Sequence, residues 1–456
     1  LNPFEHIKQV YFLGIGGIGM SALARYFKQV GMTVAGYDKT PTLLTQTLEK
    51  EGMEVIYTDN PDLLPHWLGS YPPSSLVVYT PAIPATLQLA AAIKSLGHEP
   101  IKRAQALAMC TLGTQTIAVA GTHGKTTTTT YLAHLFHCAN KPFRAFLGGI
   151  SSNYGSNFIS KTGNGACFSI VEADEYDRSF LTLRPSIAIV TSCEPDHLDI
   201  YGDFDALLSS YNLFINQVVE NGHLVLHESL EGKFQIRPDI KVTFFGQTKG
   251  AQITNLQVRQ GQYVFDLKPL ELFGLRNGLP GLHNALNATA AIAASHHLLP
   301  RHDIAAAVES FKGIHRRFQT ICSSAHYAYI DDYAHHPTEL QAAISTAKLL
   351  YPDRPLTVVF QPHLYSRTRD LAAGFKEVLS QADSLIIMPI YPARELPIPG
   401  VGAEMIRPQA ATPILTHAEV LRYIAGQRPA LLLTVGAGDI DLLPTQIKEI
   451  YEHGSE

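Results

Sequence analysis

The stretch Thr116-Ile-Ala-Val-Ala120-Gly121-Thr122-His123-Gly124-Lys125-Thr126-Thr127 decides the fold class. An apolar, β-branched run that passes through glycines into Gly-Lys-Thr predicts a buried parallel strand turning into a helix. The pattern beyond it, with Leu132, Leu135 and Phe136 apolar, completes a strand–loop–helix unit. In such a loop successive backbone N–H groups and the helix N-terminus converge where phosphate oxygens bind. Lys125 is placed to reach the outer phosphates of a nucleoside triphosphate, and the Thr126 hydroxyl to hold Mg2+. Val119 stands where the strict phosphate-loop pattern has its first glycine, so the plainer alternative is an ordinary turn with a surface lysine.

Toward the N-terminus a second unit of the same kind opens the chain. Gln9-Val-Tyr-Phe-Leu13 reads as a strand, Gly14-Ile-Gly16-Gly17-Ile-Gly19 as its turn, and the apolar positions up to Val30 as a helix closed by Gly31. Met32–Tyr37 follows as the next strand and ends at Asp38, close to the ~20-residue spacing of an acid that meets a ribose. The loop suits a pyrophosphate attached to a nucleoside. A dinucleotide such as NAD fits it, a nucleotide-sugar diphosphate fits equally, and a bare tight turn is the third reading. A separate ATP loop in the same chain weighs against a simple dehydrogenase.

Toward the C-terminus two apolar runs, Cys167–Val171 and Ile187–Thr191, end in acidic clusters. These are Glu172-Ala-Asp174-Glu175-Tyr-Asp177 and Glu194-Pro-Asp196-His197-Leu-Asp199. Parallel strands bring their C-terminal ends to one crevice, so both clusters are expected beside Lys125 and Thr126, where carboxylates suit Mg2+. Solvated acidic loops are the alternative. His283, Asn284 and Asn287 share one helix face and suit a nucleotide or a helix cap. A third α/β set begins near Tyr327 and carries polar groups after its strands, in Asp331–Pro337, Gln361–Arg369 and Gly436–Asp439. Residues 222–278 look different, as short strands with Gly and Lys/Gln turns, and are expected to be antiparallel. Together these readings predict an α/β protein of three domains, 1–108, 109–317 and 318–456: two Rossmann-like outer domains and a central phosphate-loop domain with extra antiparallel strands.

Composition agrees with compact folding. Of 456 residues 46% are hydrophobic and 16% charged, and the net charge of −5 offers no basic footprint for nucleic acid or an anionic membrane. No run approaches the ~20 apolar residues of a membrane span. Five scattered cysteines without a Cys-x-x-Cys pair fit a reducing, cytoplasmic setting, and no secretory leader is seen at the start.

Taken in order, these motifs resemble the Mur ligase family over nearly the whole chain. The resemblance rests on Gly-Ile-Gly-Gly-Ile-Gly-Met-Ser at 14–21, Gly-Thr-His-Gly-Lys-Thr-Thr at 121–127 and Glu-Ala-Asp-Glu at 172–175. Glu-Pro-Asp-His-Leu-Asp at 194–199, His-Asn-x-x-Asn at 283–287, Arg-Arg-Phe at 316–318 and Asp-Tyr-Ala-His-His-Pro at 332–337 extend it, with Phe-Gln-Pro-His at 360–363 and Gly-Ala-Gly at 436–438. It implies an ATP-dependent carboxylate–amine ligase of bacterial peptidoglycan synthesis, nearest the branch that joins L-alanine to UDP-N-acetylmuramate through an acyl phosphate. A ligase that recycles murein peptide is the rival within the family, and an NAD-dependent dehydrogenase the rival outside it.

By the same resemblance Gly121, Thr122, His123, Gly124, Lys125, Thr126 and Thr127 bind ATP with His283, Asn284, Asn287 and Arg317. Thr126, Glu172 and His197 hold Mg2+, two ions in all. Gly14, Gly16, Gly17, Ile18, Gly19, Met20, Asp38 and Thr80 meet the UDP-sugar. His336, His363 and Arg367 lie near the amino acid, and Lys125, Glu172, His197, His336 and Arg367 serve catalysis, with His197 or His336 as a candidate base for the amine. Related ligases that add later residues carry a carbamylated lysine, and Ser209-Ser-Tyr-Asn212 has none, in keeping with the alanine branch. Thr80-Pro81, Tyr176 and Leu364 depart from the usual family residues. Monomer and dimer both stay open.

Overall fold

Alternation of β-branched runs with amphipathic helices produces three sheets in this computed structural model, which describes residues 3–70, 72–195, 198–259, 262–393 and 395–453. The first sheet is wholly parallel, in the order Glu54–Ile56, Thr33–Tyr37, Gln9–Leu13, Ser75–Tyr79, Ile101–Lys102. Strand Gln9–Leu13 is buried on both faces: Val10 and Phe12 enter one core, Tyr11 and Leu13 another. That is why it reads as a continuous apolar run. The strand order reverses beside Gln9–Leu13, and at such a switch point the C-terminal ends of the strands open a crevice. Register pairs Leu13 with both Tyr37 and Tyr79, so the glycine turn, Asp38 and Thr80 share one edge.

The second sheet has ten strands. At its centre Gln115–Ala120 lies parallel between Phe168–Glu172 and Ile187–Val190. Val119 pairs with Glu172 and Ala120 with Val190, which sets the loop at 121–126 level with both acidic strand ends. Beyond Phe168–Glu172 come Phe143–Ser151 and, antiparallel to it, Ser156–Lys161. Neither of these strands was legible from alternation, because Gly148-Gly149 interrupts the first and polar residues flank the second.

On the other side the expectation of antiparallel strands is corrected for the first part of residues 222–278. His223–His227 runs parallel to Ile187–Val190, and Lys241–Gly246 parallel to His223–His227. The connections before them, 191–222 and 228–240, are long enough for a crossover rather than a hairpin. Ala251–Arg259, Gln262–Lys268 and Leu272–Asn277 then complete the sheet. The first of them also meets its neighbour in parallel, through Phe245 and Ala251.

The third sheet has Gln319–Ser323 antiparallel to Ala328–Asp332, followed in parallel by Leu431–Val435, Leu356–Phe360 and Ser384–Ile387. Asp332, Val435 and Phe360 stand in register, so the three polar segments that follow them gather at one edge. The chain forms two compact units, residues 1–256, 264–276 and 286–312, and residues 257–263, 277–285 and 313–456. The first sheet lies in unit one and the third in unit two. Among the described residues no helix is long and apolar enough to cross a membrane. All five cysteines are unpaired, Cys110 and Cys193 buried and Cys138, Cys167 and Cys322 partly so.

Candidate active site

In unit one the segment 121–124 leaves its strand and Gly124, in the left-handed conformation (φ 82), caps helix Lys125–Cys138. The loop is tied to the neighbouring strand end. Thr122 Oγ1 donates to the Glu194 carbonyl at 3.2 Å and accepts from the Glu194 N–H at 2.9 Å, and the His123 N–H donates to Ser192 Oγ at 2.9 Å. Thr128 Oγ1 donates to Asn287 Oδ1 at 3.3 Å, and a Cβ on Gly124 would stand 2.5 Å from the same oxygen, so Asn287 lies beside the loop.

Lys125 Nζ donates to the Gly121 carbonyl at 2.6 Å and to Glu175 Oε1 at 2.8 Å. Burial opposes its charge, but Glu175, Asp174 and Glu172 together outweigh that, and its pKa is raised. Thr126 Oγ1 donates to Glu172 Oε2 at 2.9 Å. The strand pairing of Phe143–Ser151 is irregular between Phe146 and Ser151, and Gly148 sits in that irregularity. A Cβ on Gly148 would stand 2.1 Å from Glu172 Oε2, so the missing side chain is the space the carboxylate occupies.

A hydroxyl and a carboxylate side by side beside a phosphate-type loop form a hard-oxygen pair of the kind Mg2+ takes when phosphates and water complete its shell. Among the described residues no group of three or more His, Cys, Asp or Glu side chains is placed to hold a metal unaided. His197, expected as a further ligand, lies outside the described residues.

At the first glycine loop the Gly14 and Ile15 N–H groups donate to the Tyr37 carbonyl, and the Thr80 N–H to the Leu13 carbonyl at 3.3 Å. Asp38 is spent on the loop itself: Oδ2 accepts the Gly16 N–H at 2.8 Å and Oδ1 the Thr40 N–H at 3.3 Å. Helix Ile18–Gln29 starts after Gly17, and the Met20 side chain is buried in the core.

Unit two gathers a second polar set. His363 faces His335 with ring centres 5.9 Å apart, stacks on Tyr391 at 5.9 Å, and has Arg367 Nη1 3.4 Å from its Nδ1. His336 caps helix Pro337–Leu350 by accepting the Thr338 N–H at 3.4 Å. Its neighbour His335 is turned toward His363 and Glu339. Arg317 Nη1 lies 3.8 Å from Glu339 Oε1 and its guanidinium 5.2 Å over Tyr333, while Arg316 pairs with Asp331 at 3.0 Å. Gln361 ties down the loop at 436–439, donating to Asp439 Oδ1 at 2.6 Å and accepting the Ile440 N–H at 2.8 Å. The Asn284 side chain donates to the Pro280 carbonyl at 2.7 Å.

Burial pushes His283 down to about 4, with Arg317 adding to the effect, and burial with His335 and Arg367 does the same to His363. Both imidazoles are therefore neutral at pH 7. A histidine whose folded pKa is depressed gives stability that is present above its unfolded pKa of ~6.5 and lost as pH falls through the folded value. Denaturant stability is expected to decline between about pH 6.5 and 4, with a shallower decline in His283→Gln. Equal slopes for the two proteins would contradict a neutral, buried His283.

Residues missed from sequence are Glu175, which holds Lys125, and Gly148, which clears room for Glu172. The first was visible in the acidic cluster but not singled out; the second had no local signal.

Three family models match the chain in sequence order: "Mur ligase family, catalytic domain" over residues 9–113, "Mur ligase middle domain" over 119–295 and "Mur ligase, glutamate ligase domain" over 316–440. The UDP-N-acetylmuramate–L-alanine ligase of Flavobacterium johnsoniae is 44% identical over 98% of each chain. That of Porphyromonas gingivalis is 41% identical over 97% of this chain and 99% of the other. Among solved structures, a UDP-N-acetylmuramate–alanine ligase from Thermotoga maritima superposes with a TM-score of 0.81 at 26% identity, covering 98% of this chain and all (100%) of the other. A murein peptide ligase from Psychrobacter arcticus shares the fold at a TM-score of 0.69 and 22% identity, covering 97% and 99% of the two chains.

Proposed function

The chain belongs to the Mur ligase family, and we propose that within it this protein joins L-alanine to UDP-N-acetylmuramate with hydrolysis of ATP to ADP and phosphate. The observation that carries the reading is the placement of Lys125 and the Thr126–Glu172 pair at one sheet edge, in a chain alike end to end to ligases of that name. The murein-recycling reading is favoured less, by solved structures at 22 and 26% identity against curated alanine ligases at 41 to 44%, and the dehydrogenase reading leaves the loop at Lys125 without a task.

In this reaction the sugar's carboxylate attacks the γ-phosphorus of ATP and ADP leaves. The amine of alanine then attacks the acyl phosphate, and the tetrahedral adduct collapses to an amide and phosphate. A free carboxylate cannot acylate an amine, because its leaving group would be oxide; phosphorylation supplies a better one. The first step brings an anion to an anion, so stabilisation of charge on the transferring phosphoryl group dominates catalysis. Lys125 would exchange Glu175 for the outer phosphates, held in its charged form by the surrounding carboxylates. Thr126 and Glu172 would hold magnesium, which when bound neutralises phosphate charge. We assign a second ion to the region of His197 and the nucleotide base to His283, Asn284 and Asn287, with Arg317 near the phosphates. The UDP-sugar is placed on the loop 14–19 beside Thr80, with Asp38 shaping the loop. The alanine is placed by His336, His363 and Arg367, with His335 beside His363. The setting of this chemistry is the bacterial cytoplasm, where UDP-N-acetylmuramate, L-alanine and ATP are its partners.

Phosphate release with Mg-ATP tests the proposal. Release is expected to require both UDP-N-acetylmuramate and L-alanine. Release with the murein tripeptide in place of alanine would move the protein to the recycling reaction, and no release with either would sink the ligase assignment.

A further inference from the structure

Arg103 opens helix Arg103–Thr111, between the first sheet and the central strand at 115–120. Its guanidinium lies against the first glycine loop: a Cβ on Gly19 would stand 2.9 Å from Nη1, 3.0 Å from Cδ and 3.4 Å from Cζ. Gly19 thus admits an arginine to the first turn of the helix on which the nucleotide sugar is placed. The same guanidinium reaches Asp174 Oδ2 through Nη2 at 3.4 Å. Asp174 belongs to the acidic strand end that also acts on Lys125. One cation therefore stands between the two nucleotide loops.

The contact with Asp174 is a poor one for an arginine. It is a single, long hydrogen bond between side chains 24% and 38% exposed, a class of pair that is weak in water. Arg25 offers the contrast: its Nε and Nη2 bind both oxygens of Glu51 at 2.9 to 3.1 Å, with the arginine side chain 7% exposed. A guanidinium with most of its donor fork uncommitted is well suited to two oxygens of a phosphate. In the loop at 14–19 the N–H groups of Gly14, Ile15, Gly16 and Gly17 already donate to oxygens of the protein, and the side chain hydrogen-bonded to the loop is an acid, Asp38. A diphosphate seated there needs a positive partner.

We propose that Arg103 is a binding residue for the diphosphate of the nucleotide sugar, released from Asp174 when that substrate arrives. This rests on the placement of the UDP-sugar at the first glycine loop. The occupied loop holds the guanidinium over Gly19, and Asp174 is returned to the acidic cluster beside Lys125.

Titration calorimetry with UDP-N-acetylmuramate, without ATP, tests it on the full chain. Arg103→Gln is expected to weaken binding about 10- to 100-fold, the range for loss of charge-assisted hydrogen bonds. Arg103→Lys should fall between the two. Asp174→Asn discriminates, because removing a competing partner leaves affinity equal or higher, whereas a merely structural ion pair would lose affinity with either substitution. Thermal melts establish that the variants are folded. Wild-type binding with Arg103→Gln unchanged, or a parallel loss in Asp174→Asn, overturns the exchange. Absence of binding by the wild type would overturn the substrate placement beneath it as well.

Discussion

Lys125→Ala is expected to lower the rate of ATP-dependent phosphate release by at least about 10³-fold, and to destabilise the protein at the same time. Both effects have one origin. The ammonium is the positive charge held inside the loop at 121–126, and the carboxylates around it keep it protonated. Its partner Glu175 has a side chain only 2% exposed, and that carboxylate's Oε2 has no hydrogen-bond partner among the described residues. Removing Lys125 leaves a buried carboxylate without its countercharge, which costs roughly 3 kcal/mol when one member of such a pair is deleted. Glu175→Gln added to Lys125→Ala should restore most of the melting temperature and none of the activity. If the double variant stays as unstable as the single one, the ion pair is not the source of the loss. If Lys125→Ala retains turnover, the phosphate role is wrong.

Gly148→Ala is expected to reduce turnover about 10²-fold with the fold intact, the range for losing a placed electrostatic group. The added methyl would sit 2.1 Å from Glu172 Oε2 and 2.8 Å from Cδ. Those atoms are the free end of a flexible side chain, so the carboxylate swings away while the strand keeps its place. Its bond with Thr126 Oγ1 is lost with it. Activity should then require more Mg2+ for half-saturation, and the melting temperature should move little. Glu172→Gln should show a similar defect, and combining the two should add little, because both remove one interaction. A Gly148→Ala enzyme with the wild-type Mg2+ dependence would detach Glu172 from the metal.

The amino-acid sequence by itself determined the strand–turn–helix units at 9–29 and 115–138, both nucleotide loops and the acidic ends at Glu172 and Glu194. Those features are legible because each is set by neighbours along the chain: apolar periodicity, glycines at a turn, a lysine and threonine at a helix start. Parallel strand direction then sends the ends after Ala120, Glu172 and Val190 to one edge without knowledge of the tertiary contacts. Tertiary structure decided the rest. It turned His335 toward His363, committed Asp38 to the Gly16 N–H, and made His223–His227 and Lys241–Gly246 parallel where antiparallel strands were expected. It also placed Gly148 against Glu172 and Arg103 against Gly19. These contacts join residues far apart in the chain, and they are selected by packing and charge at the point of meeting, where no local pattern can register them.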